Sequence, residues 1–454
     1  MTTCKSGSMV FLGGYFSIKG CRLSAEIFSD RLLRLCACAG LAGAVRQIGT
    51  MNHSMPRWLV LTLFAVSLSD LLSASPAAAT IKRLDGQELT PTEIDATVLD
   101  LIAKGKVTGL ALAVINDNQP VYVHAYGWRD KDKQLPFEPN TVTYGASLTK
   151  GVFASLVMQL VDEGRLDLDK SIADYLPKPL PEFEKYVDLR GDERWRKFTL
   201  RILLDHTSGM PNWRFVNADG KLDIKFEPGS RYSYCGEGIN LAQFVVEQAL
   251  HQEVGALLQE RIFTPLGMPD TGLVWREAFA ANLAVGHDEK GVNLGHKQRG
   301  SVRAAGSMDT TIVDFSKYLS ALMQGRVLGP KALAEMTRPQ IEIHSLFQFP
   351  VAAGPHAPPD TDENRVVGLA YGLGWGVLQH TPYGPAYFKE GHDDGWGNYA
   401  IVFPAKGTAI VLLSNSSNGE HIFRELLAKL IGDTFTPWKW ERYVPYDQPG
   451  DAAQ

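Results

Sequence analysis

The stretch Tyr144-Gly-Ala-Ser-Leu-Thr-Lys-Gly151 sets a serine three residues ahead of a lysine at the start of a helical pattern. Residues three apart share a helix face, so these two side chains meet. After Lys150 the apolar positions Val152, Phe153, Leu156, Val157, Leu160 and Val161 recur at helical spacing, and Asp162-Glu-Gly164 supplies a stop. Ser147 and Lys150 are thus expected on the first turn of a mostly buried helix. Backbone N–H groups there lack intrahelical partners and favour developing negative charge. Taken alone, this spacing fits a capped helix with a surface lysine better, so the chemical reading needs support from elsewhere in the chain.

Two later segments supply it. One is Arg231-Tyr-Ser-Tyr-Cys-Gly-Glu-Gly238, and the other is Phe388-Lys-Glu-Gly-His-Asp-Asp-Gly-Trp-Gly-Asn-Tyr399, followed by Ala-Ile-Val-Phe-Pro404. The order S-x-x-K, tyrosine-bearing loop, K-x-G strand resembles the serine β-lactamase and penicillin-binding peptidase superfamily. Leu203-Leu-Asp-His-Thr-Ser-Gly-Met-Pro211, Phe263-Thr-Pro-Leu-Gly-Met268 and Gln159-Leu-Val-Asp-Glu-Gly-Arg-Leu-Asp-Leu168 look like connecting segments of the class C β-lactamases and of related peptidases and esterases. The resemblance runs roughly from Ile94 to Ile431. It implies an α/β (α+β) fold of the β-lactamase/transpeptidase type: an antiparallel sheet flanked by helices, with an inserted helical region at roughly 165–300.

The local patterns agree with that architecture. Thr90-Pro-Thr-Glu93 is a capping box that opens a helix through about Ala103. Val107 to Ile115 and Val121 to Trp128 are β-rich runs around the turn Asn116-Asp-Asn-Gln-Pro120. Ala370 to Leu378, Ala386 to Lys389, Tyr399 to Phe403 and Thr408 to Ser414 are strand candidates. A last amphipathic helix carries Ile422, Phe423, Leu426, Leu427 and Leu430 on one face.

Composition bounds the rest. The 454 residues are 45% hydrophobic with net charge −5, enough to bury a large core and without a basic excess for nucleic acid. From Met55 a single cation precedes an apolar run, and Ala77-Ala-Ala79 offers small residues for cleavage before Thr80. Residues 55–79 read as a secretory signal peptide, too short in its apolar part for a stable membrane anchor. Cys4, Cys21, Cys36 and Cys38 lie upstream, and Cys235 alone lies in the expected mature chain. Residues 1–54 read as an upstream extension, from an over-called start first and a genuine extension or a cleaved targeting sequence as the alternative. Residues 80–454 read as the catalytic domain, periplasmic or secreted after cleavage near Ala79, with no internal disulfide.

Roles then follow from chemistry and from the resemblance. Ser147 is the expected nucleophile, and Lys150 its base if burial and nearby cations lower its pKa. Tyr234 falls where the resemblance puts a catalytic tyrosine, and Lys389 where it puts the lysine of K-T-G. Two clustered lysines are expected to favour tyrosinate at Tyr234, which shares proton transfer with Lys150. The backbone N–H groups of Ser147 and His392, the residue after Gly391, would form an oxyanion hole. His392-Asp-Asp394 could suggest a metal, but no second histidine cluster and no H-E-x-x-H occurs, so neither metal nor cofactor is expected. His206 reads as structural, hydrogen-bonding a loop under Thr207-Ser208. Ser208 is not a rival nucleophile, since no G-x-S-x-G occurs, and Cys235 reads as a packing residue.

Two departures bear on substrate. Gly236 stands where the resemblance has the asparagine of Tyr-x-Asn, whose side chain would hydrogen-bond the amide of an acyl group. Glu390 stands where it has the threonine of Lys-Thr-Gly, and its carboxylate would oppose a substrate carboxylate unless Lys389 neutralises it. The expected function is an exported serine hydrolase acting on a small-molecule ester, amide or peptide through an acyl-enzyme. The alternatives are a β-lactamase or D-alanyl-D-alanine carboxypeptidase, and a catalytically silent penicillin-binding sensor.

Overall fold

A computed structural model describes residues 10–12, 15–18, 21–22, 80–349 and 360–448. The chain divides into two compact units, Met1–Ala77 and Ala78–Gln454. In the first, three short strands, Val10–Leu12, Tyr15–Ile18 and Cys21–Arg22, pair antiparallel in sequence order. The rest of the proposed upstream extension and nearly all of the proposed signal peptide lie outside the described residues.

The second unit opens with a short antiparallel pair, Ile81–Lys82 with Glu88–Leu89, and then helix α1 (Pro91–Gly105). It is capped as its sequence requires: the Thr90 hydroxyl accepts from the Glu93 N–H, and the Thr90 N–H donates to Glu93 Oε2 at 2.8 Å. A cap of this kind contributes about 1 kcal/mol. Strands β1 (Gly109–Asn116) and β2 (Gln119–Asp130) follow, joined by Asp117 and Asn118 at φ 50° and 60°. Two left-handed residues make the tight turn whose twist matches that of the strands. Then come β3 (Leu135–Pro136), β4 (Thr143–Ala146) and helix α2 (Leu148–Asp162).

The region expected to be an inserted helical domain holds one long helix, α3 (Gly236–Leu250), among short helical turns and loops. Next are β5 (Met308–Thr310), α4 (Ile312–Met323) and β6 (Ile341–Glu342). Past residues 350–359 come β7 (Leu369–Tyr371), β8 (Gly376–Leu378), β9 (Ala386–Asp393), β10 (Trp396–Phe403), β11 (Thr408–Ser414) and α5 (Phe423–Leu430). The run Ala370 to Leu378, read as one strand, is two strands folded back on each other. Tyr371 pairs with Gly376, and Gly374 takes the left-handed conformation in between.

Nine strands form one antiparallel sheet in the order β6-β7-β8-β9-β10-β11-β1-β2-β3. Strands β10, β11 and β1 are buried at every position for a physical reason: both faces are covered. Ala111, Ala113, Val411 and Leu413 point to the face packed by α2. Leu110, Leu112, Ile410 and Leu412 alternate to the face packed by α1 and α5. Each fully buried aliphatic side chain contributes roughly 1.5–3 kcal/mol relative to exposure.

Two arrangements prepare the site. Strand β8 pairs with β9 only as far as Phe388, so among the described residues the edge of β9 from Lys389 onward has no strand partner. The short pair β4–β5 sets the residue before α2 beside the segment that precedes β5.

Candidate active site

Ser147 caps the N-terminus of α2, directly after β4. Ala146 before it has φ 46°, a left-handed conformation that costs a non-glycine residue energy. Thr149 holds this turn. Its hydroxyl donates to the Ala146 carbonyl and accepts from the Met308 N–H at 3.1 Å, tying α2 to β5.

One turn into the helix, Lys150 is fully buried and donates to Ser147 Oγ at 2.9 Å and to the carbonyl of Ala305. Burial first, and then the nearby Lys389 charge, hold its ammonium well below the usual lysine range. The i,i+3 pairing expected from sequence is realised, with a neutral hydroxyl and a neutral carbonyl as its partners.

Tyr234 lies in the loop just before α3, also buried. Its Oη accepts from Lys389 Nζ at 3.2 Å, and the amines of Lys150 and Lys389 lie 4.9 and 5.1 Å from its ring centre. The two lysines were expected to favour tyrosinate, and the structure gives the opposite direction. Burial first, then the Glu390 carboxylate, push the phenol well above its ordinary value, while the neighbouring Ser147 hydroxyl pulls weakly the other way. The reason is an ion pair on adjacent residues: Glu390 Oε1 accepts from Lys389 Nζ, with both side chains buried. The charge on Lys389 is answered by Glu390 before it reaches Tyr234.

Gly391 meets its requirement by lacking a side chain. A Cβ there would lie 2.7 Å from the Gly145 carbonyl oxygen and 3.2 Å from the Leu148 nitrogen, so only glycine lets β9 lie against the start of α2. His392 follows with a half-exposed ring. Its Nδ1 is 2.9 Å from Glu420 Oε1, and that carboxylate pushes the imidazole up to about 9, which makes it a cation at neutral pH. Gly236 begins α3 and donates its N–H to Asn212 Oδ1 at 2.9 Å.

Several participants have no signature in the linear sequence. Asn398 on β10 donates from Nδ2 to the carbonyls of Tyr144 and Gly391, 3.0 Å each, and so fixes β9 relative to the segment bearing Ser147. Its one available signal was a polar residue opening an apolar strand. Ala305 contributes only a carbonyl, which no sequence pattern reports. His206 is structural as expected, but its contacts differ. Its Nδ1 accepts from the Cys235 N–H at 3.1 Å, and its ring lies 4.4 Å from that of Tyr234, while Asp205 accepts both the N–H and the hydroxyl of Thr207. Burial lowers the His206 imidazole well below its usual value, so it braces Tyr234 as a neutral ring. Cys235 is buried; its sulfur accepts from the Gly238 N–H, and burial pushes the thiol up to about 12. Among the described residues no group of three or more His, Cys, Asp or Glu side chains is placed to hold a metal ion.

The constellation is a hydroxyl at a helix N-terminus, an amine of lowered basicity 2.9 Å from it, a neutral phenol beside both, and a close-packed strand edge. That set can deprotonate a serine and stabilise an oxyanion.

The chain is similar to several known proteins. Penicillin-binding protein 4 of Amycolatopsis lactamdurans is 26% identical over 364 residues, covering 76% of this chain and 90% of that protein. The D-alanyl-D-alanine-carboxypeptidase/endopeptidase AmpH of Escherichia coli K12 is 24% identical, covering 76% and 91%. Esterase EstB of Burkholderia gladioli is 26% identical over 232 residues, 45% of this chain and 57% of the esterase. In fold, the chain is similar to the octameric penicillin-binding protein homologue from Pyrococcus abyssi, with TM-score 0.60 at 20% identity over 76% of this chain and 80% of that one. It is also similar to D-alanine carboxypeptidase AmpC from Burkholderia cenocepacia, with TM-score 0.56 at 21% identity over 71% and 93%. The β-lactamase family model matches residues 94–432, most of the chain and all of the site. The chain belongs to the β-lactamase family and is a serine hydrolase.

Proposed function

We propose that the protein is exported and cleaves an ester or amide through an acyl-enzyme on Ser147, preferring substrates without a carboxylate beside the scissile bond. The observation that carries this reading is the 2.9 Å contact between Ser147 Oγ and the buried amine of Lys150, whose other acceptor is a neutral carbonyl.

The proton passes from Ser147 Oγ to the unprotonated Lys150 Nζ as Oγ bonds the substrate carbonyl carbon. The oxygen that gains charge faces the backbone N–H groups of Ser147 and His392. As the tetrahedral centre collapses, the bond to the leaving group breaks. Tyr234 donates its phenolic proton to that group and recovers one from Lys150. Water then attacks the acyl ester, its proton returns along the same path, and Ser147 Oγ–H is restored. This sequence uses a neutral lysine and a neutral phenol, the forms that burial favours.

The preference for uncharged substrates rests on Glu390. Here Lys389 is paired, and a substrate carboxylate would meet Glu390. The esterase names among the relatives support an ester, and the carboxypeptidase and β-lactamase names mark the rival substrates.

The test is a screen of the purified protein against short p-nitrophenyl esters, D-amino-acid amides and nitrocefin. Ester turnover above nitrocefin turnover supports the reading, and the reverse order returns the enzyme to the β-lactamases. Export is read from the intact mass of the periplasmic or secreted form, expected to begin at or near Thr80. Retention of Cys36 and Cys38 contradicts it.

A further inference from the structure

The two flanks of Ser147 differ in chemistry. On the β9 flank stand two ion pairs, Lys389 with Glu390 and His392 with Glu420. The flank beyond Tyr234 carries two aromatic rings, Trp213 and Phe215, with the Arg214–Glu237 ion pair beside them. Gly236, two residues after Tyr234 and so within roughly 7 Å along the chain, lies against the indole of Trp213. A Cβ built on Gly236 would sit 2.5 Å from Cη2, 2.7 Å from Cζ3 and 2.8 Å from Cζ2 of that ring. The indole fills the space into which any side chain at 236 would project.

The turn that carries the ring is held by several bonds. The Gly236 and Glu237 N–H groups donate to Asn212 Oδ1 and to the Asn212 carbonyl at 2.9 and 3.0 Å. Arg214 donates from its backbone N and from Nε to Glu237 Oε1, 3.2 Å each. The Val216 N–H closes the turn on the Trp213 carbonyl. Phe215 stacks on Trp213, with ring centres 6.3 Å apart and planes 13° off parallel. Yet Phe215 is 74% exposed and Val216 43%. The turn thus leaves the stacked phenylalanine open to a ligand, and an aromatic ring offers a large apolar contact area.

We propose that Trp213 and Phe215 form an aromatic platform that seats an apolar, flat acyl group of the substrate. The proposal rests on the acyl-enzyme reading above and names the substrate class for it. The acyl half is the occupant for two reasons. It stays on the enzyme through both acylation and deacylation, so contacts to it serve both steps, whereas the leaving group needs its seat only in the first. The other flank is charged and suits a polar leaving group. No amide-binding side chain is present at 236, so the platform selects by stacking and apolar contact.

The experiment compares p-nitrophenyl phenylacetate with p-nitrophenyl acetate, and acetyl esters of larger and smaller leaving groups, on the wild type, Trp213→Ala and Phe215→Ser. The second variant changes an exposed side chain and leaves the core intact. The wild type should favour phenylacetate in kcat/KM by about tenfold or more, and each variant should shrink that ratio several-fold. A ratio that the variants leave unmoved overturns the platform while the acyl-enzyme reading stands. So does a preference that follows the leaving group alone. Should no ester be turned over, the acyl-enzyme reading fails separately. Quenching of Trp213 fluorescence by phenylacetamide, taken as the difference between wild type and Trp213→Phe, then decides the platform. Saturable quenching weakened by Phe215→Ser supports it, and none overturns it.

Discussion

Two lysines are buried in one cleft, and they are held in different states. Lys150 donates to a hydroxyl and a carbonyl, and Lys389 donates to a phenol and a carboxylate. Both are fully buried, and burial lowers both. At Lys150 the charge of Lys389 adds to that lowering, while at Lys389 the Glu390 carboxylate opposes it. The difference teaches that position in the fold does not decide what a buried amine does. The sign of its nearest partner does: without a carboxylate it is a base, and with one it is half of a neutral pair.

The largest effect that can break this comparison is at the base. Lys150→Ala should lower kcat for ester hydrolysis by about 10²–10⁴-fold, the usual cost of a positioned proton-transfer group. Lys150→Arg should be as poor, since an arginine stays protonated. Steady-state kinetics on folded variants check this, and an active Lys150→Arg would show that a cation suffices. Tyr234→Phe should cost a similar factor, and more with poor leaving groups, since the phenol serves their departure.

A smaller effect concerns the paired lysine. Glu390→Thr should raise kcat/KM for an ester bearing a carboxylate beside its leaving group, relative to its neutral analogue, by about tenfold or more, because removing a desolvated like charge is worth upwards of ~1.4 kcal/mol. An unchanged ratio means Glu390 does not select substrates.

The smallest effect sharpens the role of burial itself. Asp205, next to His206, is pushed up to about 7 by burial, against 3.8 when unfolded. A raised acid contributes stability that is present below pH 4 and lost as pH rises through 7. Asp205→Asn should therefore be more stable than wild type at pH 8, with the gap narrower at pH 5, in thermal melts at the two pH values.

Much of this was legible in the sequence, because the informative signals were local. The capping box at Thr90, the β-rich runs that became β1, β2 and β11, and the Ser147–Lys150 spacing each depend on neighbours within a few residues. What escaped depends on contacts across the fold. The Ala305 carbonyl, the Asn398 bridge and the Glu420 partner of His392 come from segments far away in the chain. Strand β9 runs on to Asp393, past its expected end at Lys389, because pairing with β10 continues through polar residues that carry no apolar alternation. The state of Tyr234 was misjudged for a related reason: sequence shows two cations nearby, but not that both burial and Glu390 act against the phenolate.

The state of Lys150 can be measured directly through the reactivity of Ser147. The rate at which a fluorophosphonate labels Ser147, followed by intact mass and peptide mapping from pH 5 to 10, reports the ionisation of the group that takes the serine proton. A neutral lysine base predicts a rise whose midpoint lies well below 10.5, lost in Lys150→Ala, with no labelling in Ser147→Ala. A rise centred near 10.5, a profile unchanged in Lys150→Ala, or labelling on another residue would contradict it.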